Sequence, residues 1–185
     1  MNRFLSLALI LSLAGVVLWM ALRPDAAPQR MPEIARFASQ GVDSIEIRDH
    51  SQIKLQRVES GWQLLIDSDV WRGADDEAVL HLLNDLAAMQ PIRVVTRNPD
   101  QYEKLKVGLA ATKVLLKDRQ GKELFEVMIG KQGSDLLSTY IRFAGKAEVL
   151  AVDRSLLWQV KRPLEGWQAR DVAPVEAAEV EKSHE

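Results

Sequence analysis

"VDSIEIRDHSQIKLQRVESGWQLLID", residues 42–67, sets the fold of this chain. Within it, apolar and polar side chains alternate in three short runs, and the polar stretches RDHSQ and ESG separate the runs. A period of two places every second side chain on one face of a β-strand, so each run predicts a strand with one buried face. Gly61 can supply the positive φ that a tight turn requires. The apolar positions expected to face the core are Ile45, Ile47, Ile53, Leu55, Trp62, Leu64 and Ile66.

The period changes to that of a helix in GADDEAVLHLLNDLAAMQP, residues 73–91. Acidic side chains at residues 75–77 suit the positive end of the helix dipole, and Pro91 ends the element. The following run, IRVVT at residues 92–96, predicts a strand that pairs back onto the sheet. The apolar stripe of the helix consists of Val79, Leu82, Leu83 and Leu86.

A short second helix is predicted next, with Asn98 as its N-cap, Pro99 at its first position and Gly108 past its end. The rest of the chain is mostly β, and short connections favour antiparallel neighbours. RSLLWQV, residues 154–160, predicts a brief closing helix. The four strands expected in this half are TKVLLKD (112–118), ELFEVMIG (123–130), TYIRFAG (139–145) and EVLAVD (148–153).

Near the amino terminus, an uninterrupted run of 19 residues from Phe4 to Leu22 has no charged side chain. As a helix this run would measure ~28 Å, close to the ~30 Å of bilayer hydrocarbon. A signal peptide has an apolar core of only roughly 7 to 15 residues, and cleavage after Ala14 would leave an exposed apolar end. We therefore expect residues 1–23 to form an uncleaved transmembrane helix that anchors the chain in the lipid bilayer.

Three prolines, Pro24, Pro28 and Pro32, prevent this helix from continuing. Residues 24–40 are therefore predicted to form a proline-containing spacer. At the other end, residues 172–185 are rich in Ala and Glu without an aromatic side chain, which is typical of a disordered tail. Residues 41–171 remain as one domain of the α+β class, with a mostly antiparallel β-sheet and two or three packed helices.

The composition excludes several classes of function. The chain has 24 basic and 26 acidic residues, a net charge of -2 and no run of Lys and Arg, so nucleic acid is not expected as a partner. It has no cysteine, which rules out disulfides, thiolate nucleophiles and Cys-based zinc sites. No nucleophile-base motif such as G-x-S-x-G or H-E-x-x-H occurs. The sequence therefore predicts no catalytic residue, metal ligand or cofactor.

His81 and Asp85 are one helical turn apart, a spacing that suits base catalysis or metal binding. At about 100° per residue, however, His81 lies nearly opposite Val79, on the side of the helix that faces water. An exposed surface histidine is the favoured interpretation.

A cluster of acids surrounds Trp71 and Arg72 and could suggest a calcium or magnesium site. An EF-hand loop requires an oxygen ligand at its fifth position and glycine at its sixth, and counted from Asp67 these places hold Trp71 and Arg72. We assign Asp67 and Asp69 to a turn and the acids at residues 75–77 to the start of the helix.

Gly130 and Gly133 follow a strand in IGKQGSD, where glycines can cradle a phosphate. Such a cradle requires a helix amino terminus to follow, whereas another strand is predicted here. A mobile loop is the favoured interpretation.

Three tryptophans, Trp71, Trp158 and Trp167, lie near the ends of predicted elements. Tryptophan is enriched at binding hot spots, so we name these three residues as candidates for partner contact. Tryptophan is also highly buried on average, and capping of the core is the favoured alternative.

The ordered series VDSIEI, GWQLLI, ADDEAVLHLLNDLAAMQPIRVV, YEKLKVGL, TKVLLKDRQGKELFEVMIG and TYIRFAGKAEVLAVDRSLL resembles a membrane-anchored family known as domain of unknown function 4340. The resemblance covers about Gly41 to Asp171 and rests on apolar and glycine positions. It implies an extracytoplasmic accessory part of ABC-type transport systems, related to those named for gliding motility. It also implies a periplasmic domain on the inner membrane, whereas Arg23, Arg30 and Arg36 lean towards a cytoplasmic one.

We therefore expect a single-pass, non-enzymatic protein that binds integral membrane subunits of a transporter as an accessory or scaffolding subunit. Two alternatives stay open. One is a cell-envelope hydrolase with a non-local carboxylate site, and the other is a carrier with an apolar pocket between sheet and helix.

Overall fold

In the computed structural model the described residues are 31–169, and their central element is a sheet of nine strands. The strands are β1 (Ser44–Arg48), β2 (Gln52–Val58), β3 (Gly61–Asp67), β4 (Val70–Gly73), β5 (Pro91–Thr96), β6 (Thr112–Lys117), β7 (Glu123–Gln132), β8 (Thr139–Phe143) and β9 (Val149–Val152). The α-helices are α1 (Asp76–Ala88), α2 (Tyr102–Leu105) and α3 (Leu157–Val160). Single 3₁₀ turns span Ser39–Gly41, Pro99–Gln101 and Leu164–Trp167.

The strand order is β4-β3-β2-β1-β6-β7-β8-β9-β5, and every neighbouring pair is antiparallel. The prediction of an α+β fold built on a mostly antiparallel sheet is confirmed. Strand β1 lies between β2 and β6, so it joins the two halves of the sheet. Helix α1 follows β4 and precedes β5, and it therefore connects the two outermost strands.

Strand β4 was not predicted from the sequence. It has only four residues, all of them exposed, and Trp71 is the register partner of Leu65 on β3. A short strand without a buried face shows no alternation, so it gives no periodic signal.

The main core lies between one face of the sheet and helix α1. Side chains of the predicted helical stripe are at most 1% exposed, which confirms the helix and its buried face. Burying one leucine stabilises the fold by roughly 1.5–3 kcal/mol, so this stripe is a major source of stability. Asp75 caps the helix because its carboxylate accepts a hydrogen bond from the amide of Ala78 at 3.0 Å.

The amino-terminal segment of the described chain packs on the same core. Ile34 is buried, and the ring of Phe37 lies 4.9 Å from that of Phe125. These residues belong to the predicted spacer, residues 24–40, whose later part therefore contributes to the domain core. The predicted anchor (1–23) and disordered tail (172–185) lie outside the described residues. Within residues 31–169 no helix is both long and apolar enough to cross a membrane.

The predicted short helix is present as a 3₁₀ turn followed by α2. The side chain of Asn98 accepts a hydrogen bond from the amide of Asp100 at 3.0 Å, and Pro99 begins the turn. Lys106, with a φ of 58°, ends α2 in the left-handed conformation. Gly108 therefore lies past the end of the helix, as predicted, although Lys106 and not a glycine adopts the left-handed conformation there.

A smaller cluster covers part of the opposite face of the sheet. Leu105 and Val107 pack there against Tyr140 on β8 and against β9. This close approach requires glycine at position 130, because a Cβ atom there would lie 2.4 Å from the carbonyl oxygen of Leu105. Gly130 is thus explained by packing.

We expect Gly130→Ala to lower the free energy of unfolding by about 1–3 kcal/mol, because the added methyl group overpacks this contact. Gly41→Ala is the control, since nothing lies within 4 Å of a Cβ atom at that position. Its effect should stay within about 0.5 kcal/mol. Denaturant unfolding of both variants measures the difference, and equal effects would contradict this role of Gly130.

Candidate functional site

The loop between β7 and β8 presents the most prominent pair of adjacent apolar side chains among the described residues. This loop, residues 133–138, is called the leucine loop below. The leucines at its tip, Leu136 and Leu137, are 69% and 75% exposed. Single exposed apolar residues are ordinary, whereas adjacent ones at a loop tip point to an interaction.

Hydrogen bonds hold the leucine loop in one conformation. One carboxylate oxygen of Asp135, Oδ1, accepts from the amides of Leu137 at 3.1 Å and Ser138 at 2.9 Å, and from the Ser138 hydroxyl at 2.8 Å. The amide of Gly133 donates to the carbonyl of Ser138 at 2.9 Å, which closes the loop at its base. The side chain of Gln132 donates to the carbonyl of Leu136. The loop that we expected to be mobile is therefore a hydrogen-bonded turn.

The backbone of Leu136 adopts a left-handed conformation, with a φ of 61°. For a residue with a side chain this conformation costs roughly 1–2 kcal/mol, and glycine would occupy it without that cost. In addition, the exposed leucine side chain does not gain the free energy that its burial would contribute. Strained backbone that the surroundings hold in place is concentrated at functional sites, so this geometry points to binding.

The hydrogen bonds in the leucine loop also lower the pKa of the Asp135 carboxyl. Hydrogen bonds from the backbone and side chain of Ser138 hold the pKa of the Asp135 carboxyl below its usual value. The ionised form is therefore the one that organises the loop.

Trp71 and Trp158 are the partner-contact candidates with accessible side chains. Trp71 is 38% exposed on the outer strand β4, and Trp158 is 54% exposed on α3. Trp167 is 1% exposed and belongs to the core, and its indole nitrogen has no hydrogen-bond partner within residues 31–169. The structure therefore places the first two on the surface and the third among core residues.

His81 is exposed as predicted, with 54% of its side chain accessible. Its Nδ1 lies 3.1 Å from Oε1 of Gln159 and 3.6 Å from the Asp85 carboxylate. Gln159 in turn donates to Asp85 at 2.6 Å. The His81 ring lies 5.9 Å from that of Trp158. These contacts fasten α3 to α1, so the pair has a structural role here.

The acids near the start of α1 act as local acceptors. Asp75 caps the helix, and Asp76 Oδ1 accepts a hydrogen bond from the amide of Trp62 at 2.8 Å. Asp67 accepts from the amide of Ser68 at 2.7 Å. The assignment of Asp75, Asp76 and Glu77 to the helix start is confirmed. Within residues 31–169 no three His, Cys, Asp or Glu side chains converge as metal ligands.

Two partly buried carboxylates are paired with cations. Burial raises the pKa of Glu46. Hydrogen bonds from Lys117 at 2.6 Å and Arg48 at 2.5 Å lower it, and together with the positive charges of these two residues they outweigh burial, so the net shift is downward. Burial likewise raises the pKa of Asp49, and its pairing with Lys161 outweighs burial. A general acid needs a raised pKa, so the lowered pKa of Glu46 and of Asp49 does not suit that one role.

The fold places this chain among α+β domains built on one large antiparallel sheet, and its most prominent surface features suit binding. A family model described as Domain of unknown function (DUF4340) matches residues 66–184. The chain belongs to this family. The match begins and ends later than the resemblance predicted from the sequence. No curated protein and no solved structure matches the chain.

Sequence reasoning missed Leu136 and Leu137. The only signal was an apolar pair directly after Ser134 and Asp135, in a polar connection between two strands. Adjacent apolar residues outside an alternating run are an exception to binary patterning. Such an exception was the available clue to the leucine loop.

We expect Asp135→Ala to loosen the leucine loop, since three hydrogen bonds to one oxygen are lost. The exchange rate of the Leu137 and Ser138 amides should rise by about tenfold or more, because both amides lose the carboxylate oxygen to which they donate. Asp135→Asn keeps an oxygen acceptor and should have the smaller effect. Amide hydrogen exchange measured by NMR tests this ranking.

The loop should also loosen in acid. Because the folded-state pKa of Asp135 is lowered, its contribution is present above the ordinary pKa of an aspartate and is lost as the pH falls through the lowered value. Methyl chemical shifts of Leu136 and Leu137, followed by NMR during acid titration, measure this loss. A local transition that persists in Asp135→Asn would contradict the assignment to Asp135.

Proposed function

We propose that this chain is a membrane-tethered accessory or scaffolding subunit that acts by protein-protein binding through the leucine loop. The observation that carries the proposal is the loop itself. Two leucines are exposed on a strained backbone that Asp135 holds in place. A loop that only connected β7 to β8 would gain stability from glycine at position 136 and polar residues at both tip positions.

The strength of the expected contact suits a tethered partner. Burying two leucines contributes roughly 3–6 kcal/mol before the costs of association are subtracted. A net 4.1 kcal/mol corresponds to a dissociation constant of about 1 mM. Tethering gives effective concentrations in the millimolar range, so a contact too weak in dilute solution can be occupied at a membrane.

The leucine loop and Pro32, near the start of the described chain, lie towards opposite ends of strand β7. Pro32 lines a groove together with Glu123 at the start of β7, whereas the leucine loop follows the other end of that strand. Strand β7 has 10 residues, which span roughly 33 Å at ~3.3 Å per residue. The leucines therefore lie far from the point where the chain enters the domain.

The finer assignment rests on the sequence. The apolar run from Phe4 to Leu22 supports an inner-membrane anchor, and the family resemblance supports a periplasmic domain. The same resemblance supports integral membrane subunits of an ABC-type transport complex as partners. In this proposal the leucine loop occupies an apolar pocket on such a subunit, or on a protein bound to it.

The test is photo-crosslinking in intact membranes, with a photoreactive amino acid at Ser134 next to the leucines. We expect a crosslink to a transporter subunit in the full-length protein. The double change Leu136→Ser and Leu137→Ser should reduce its yield by about tenfold or more, because most of the contact energy is removed. Both side chains are exposed, so the fold should be retained.

Leu80→Ser is the matched control, since Leu80 is also an exposed leucine but lies on helix α1. It should leave the crosslink unchanged. Equal loss in the control and the double variant would contradict a specific role for the loop. Capture of lipid alone by the photoreactive group would assign the loop to the membrane surface and overturn the proposal.

A further inference from the structure

The face of the sheet opposite helix α1 carries a group of cations. Along β1 the core side chains Ile45 and Ile47 alternate with Glu46 and Arg48, which therefore lie on this opposite face. The strand register extends the same assignment to β2, β6, β7 and β8. The cations on this face, called the basic face below, are Arg48, Lys54, Lys113, Lys117 and Arg142.

Most of the basic face lacks a carboxylate partner. Glu46 forms salt bridges with Arg48 at 2.5 Å and with Lys117 at 2.6 Å. Among residues 31–169, the other three members have no carboxylate oxygen within 4.0 Å. The guanidinium of Arg142 donates to the backbone carbonyl of Val107 at 3.0 Å, which carries no net charge. The basic face therefore has positive charge that the described part of the fold does not neutralise.

Two of these cations are direct neighbours across two strands. Arg48 on β1 is the register partner of Lys113 on β6. Like charges that lie directly opposite each other destabilise a sheet. Anionic groups bound above this pair would remove that cost. The arrangement therefore favours an anionic partner for the basic face.

An exposed leucine stands beside the basic face. Residues 102–107 pack on the same face of the sheet, against Tyr140 on β8. Leu109 follows this segment, precedes Lys113 on β6, and is 98% exposed. Its amide donates to Oε1 of Glu103 at 2.9 Å, which holds the backbone at this position. Cations beside a fully exposed leucine give this surface the amphipathic character of a membrane-surface contact.

We propose that the basic face docks on a bilayer surface that contains anionic phospholipids, with Leu109 at the boundary between headgroups and acyl chains. Anionic headgroups attract lysine and arginine side chains, and an apolar side chain beside them enters that boundary. Charge alone would also suit an acidic protein. Leu109 favours lipid, because a bilayer offers an apolar layer beneath its phosphates without a preformed pocket.

This inference rests on the proposed function, because it requires the tether. The predicted anchor ends at residue 23, and the described part of the chain begins at residue 31. A chain of this length spans at most about 30 Å at ~3.3–3.6 Å per residue. The bilayer is therefore within reach of the tethered domain, and a weak electrostatic contact can be occupied at that effective concentration.

The test uses the full-length protein in lipid nanodiscs, with a nitroxide spin label on Leu109→Cys. The chain has no cysteine of its own, so the label reports from one position. With phosphatidylglycerol in the nanodisc, we expect the label to gain collisions with oxygen, which concentrates in lipid, and to lose collisions with a water-soluble nickel complex. With phosphatidylcholine alone it should remain in water. A label on Leu80→Cys, the control on the exposed side of α1, should remain in water with both lipids.

Charge substitutions test the electrostatic contribution. Lys54→Gln with Lys113→Gln removes two cations that lack a carboxylate partner. The ratio of docked to undocked domain should fall by about tenfold or more, since each lysine near an anionic surface contributes about fivefold. Lys122→Gln with Lys146→Gln, the matched control, makes the same change of net charge at exposed positions in connections between strands. It should change the ratio by less than about twofold, because salt screens charges that are distant from the surface.

A label on Leu109→Cys that stays in water with either lipid would overturn the proposal and leave an acidic protein as the partner of this face. Equal insertion in the two lipids, or equal loss in the two lysine pairs, would also overturn it. Co-elution of the chain with the nanodiscs tests the tether separately. A chain that elutes without them would overturn the tether and this docking together, whereas a co-eluting chain with its label in water would overturn the docking alone.

Discussion

The fold depends on the pairing of strand β1 with two partners at once. Ile45 lies opposite Leu55 on β2 and Leu116 on β6, and all three side chains are fully buried. A slip of one residue would turn the whole apolar face of β1 towards the opposite side of the sheet. The register is therefore fixed where the two halves of the sheet meet, and the outer strands are added to a centre that has one energetically acceptable alignment.

Much of this architecture could be predicted because burial and periodicity coincide in it. Ile45 and Ile47 alternate with Glu46, and the stripe from Val79 to Leu86 has helical spacing, so each pattern reports which face meets the core. The outer strand β4 has no buried face, and its existence depends on pairing with β3 and with residues near Ala169. Pairing between distant segments leaves no local pattern in the sequence.

The candidate site was harder to predict for a related reason. The tryptophans were predicted as contact residues from their residue type alone. Trp71 is exposed and Trp167 is buried because of their positions in the tertiary structure, which residue type does not encode. The leucine loop depends on a side chain that accepts three hydrogen bonds and on a backbone angle that leucine disfavours. Departures from local preference of this kind are recognised only once the surrounding geometry is known.

Helix α1 joins strands β4 and β5, which lie at opposite margins of the sheet, and it packs through most of its length on the core between them. The helix therefore links the two margins of the sheet. Because both outermost strands are attached to the same helix, unfolding of more than a few residues at one margin also perturbs the strand at the other margin. The two borders of the sheet are therefore mechanically coupled, and the domain should resist fraying as a single cooperative unit.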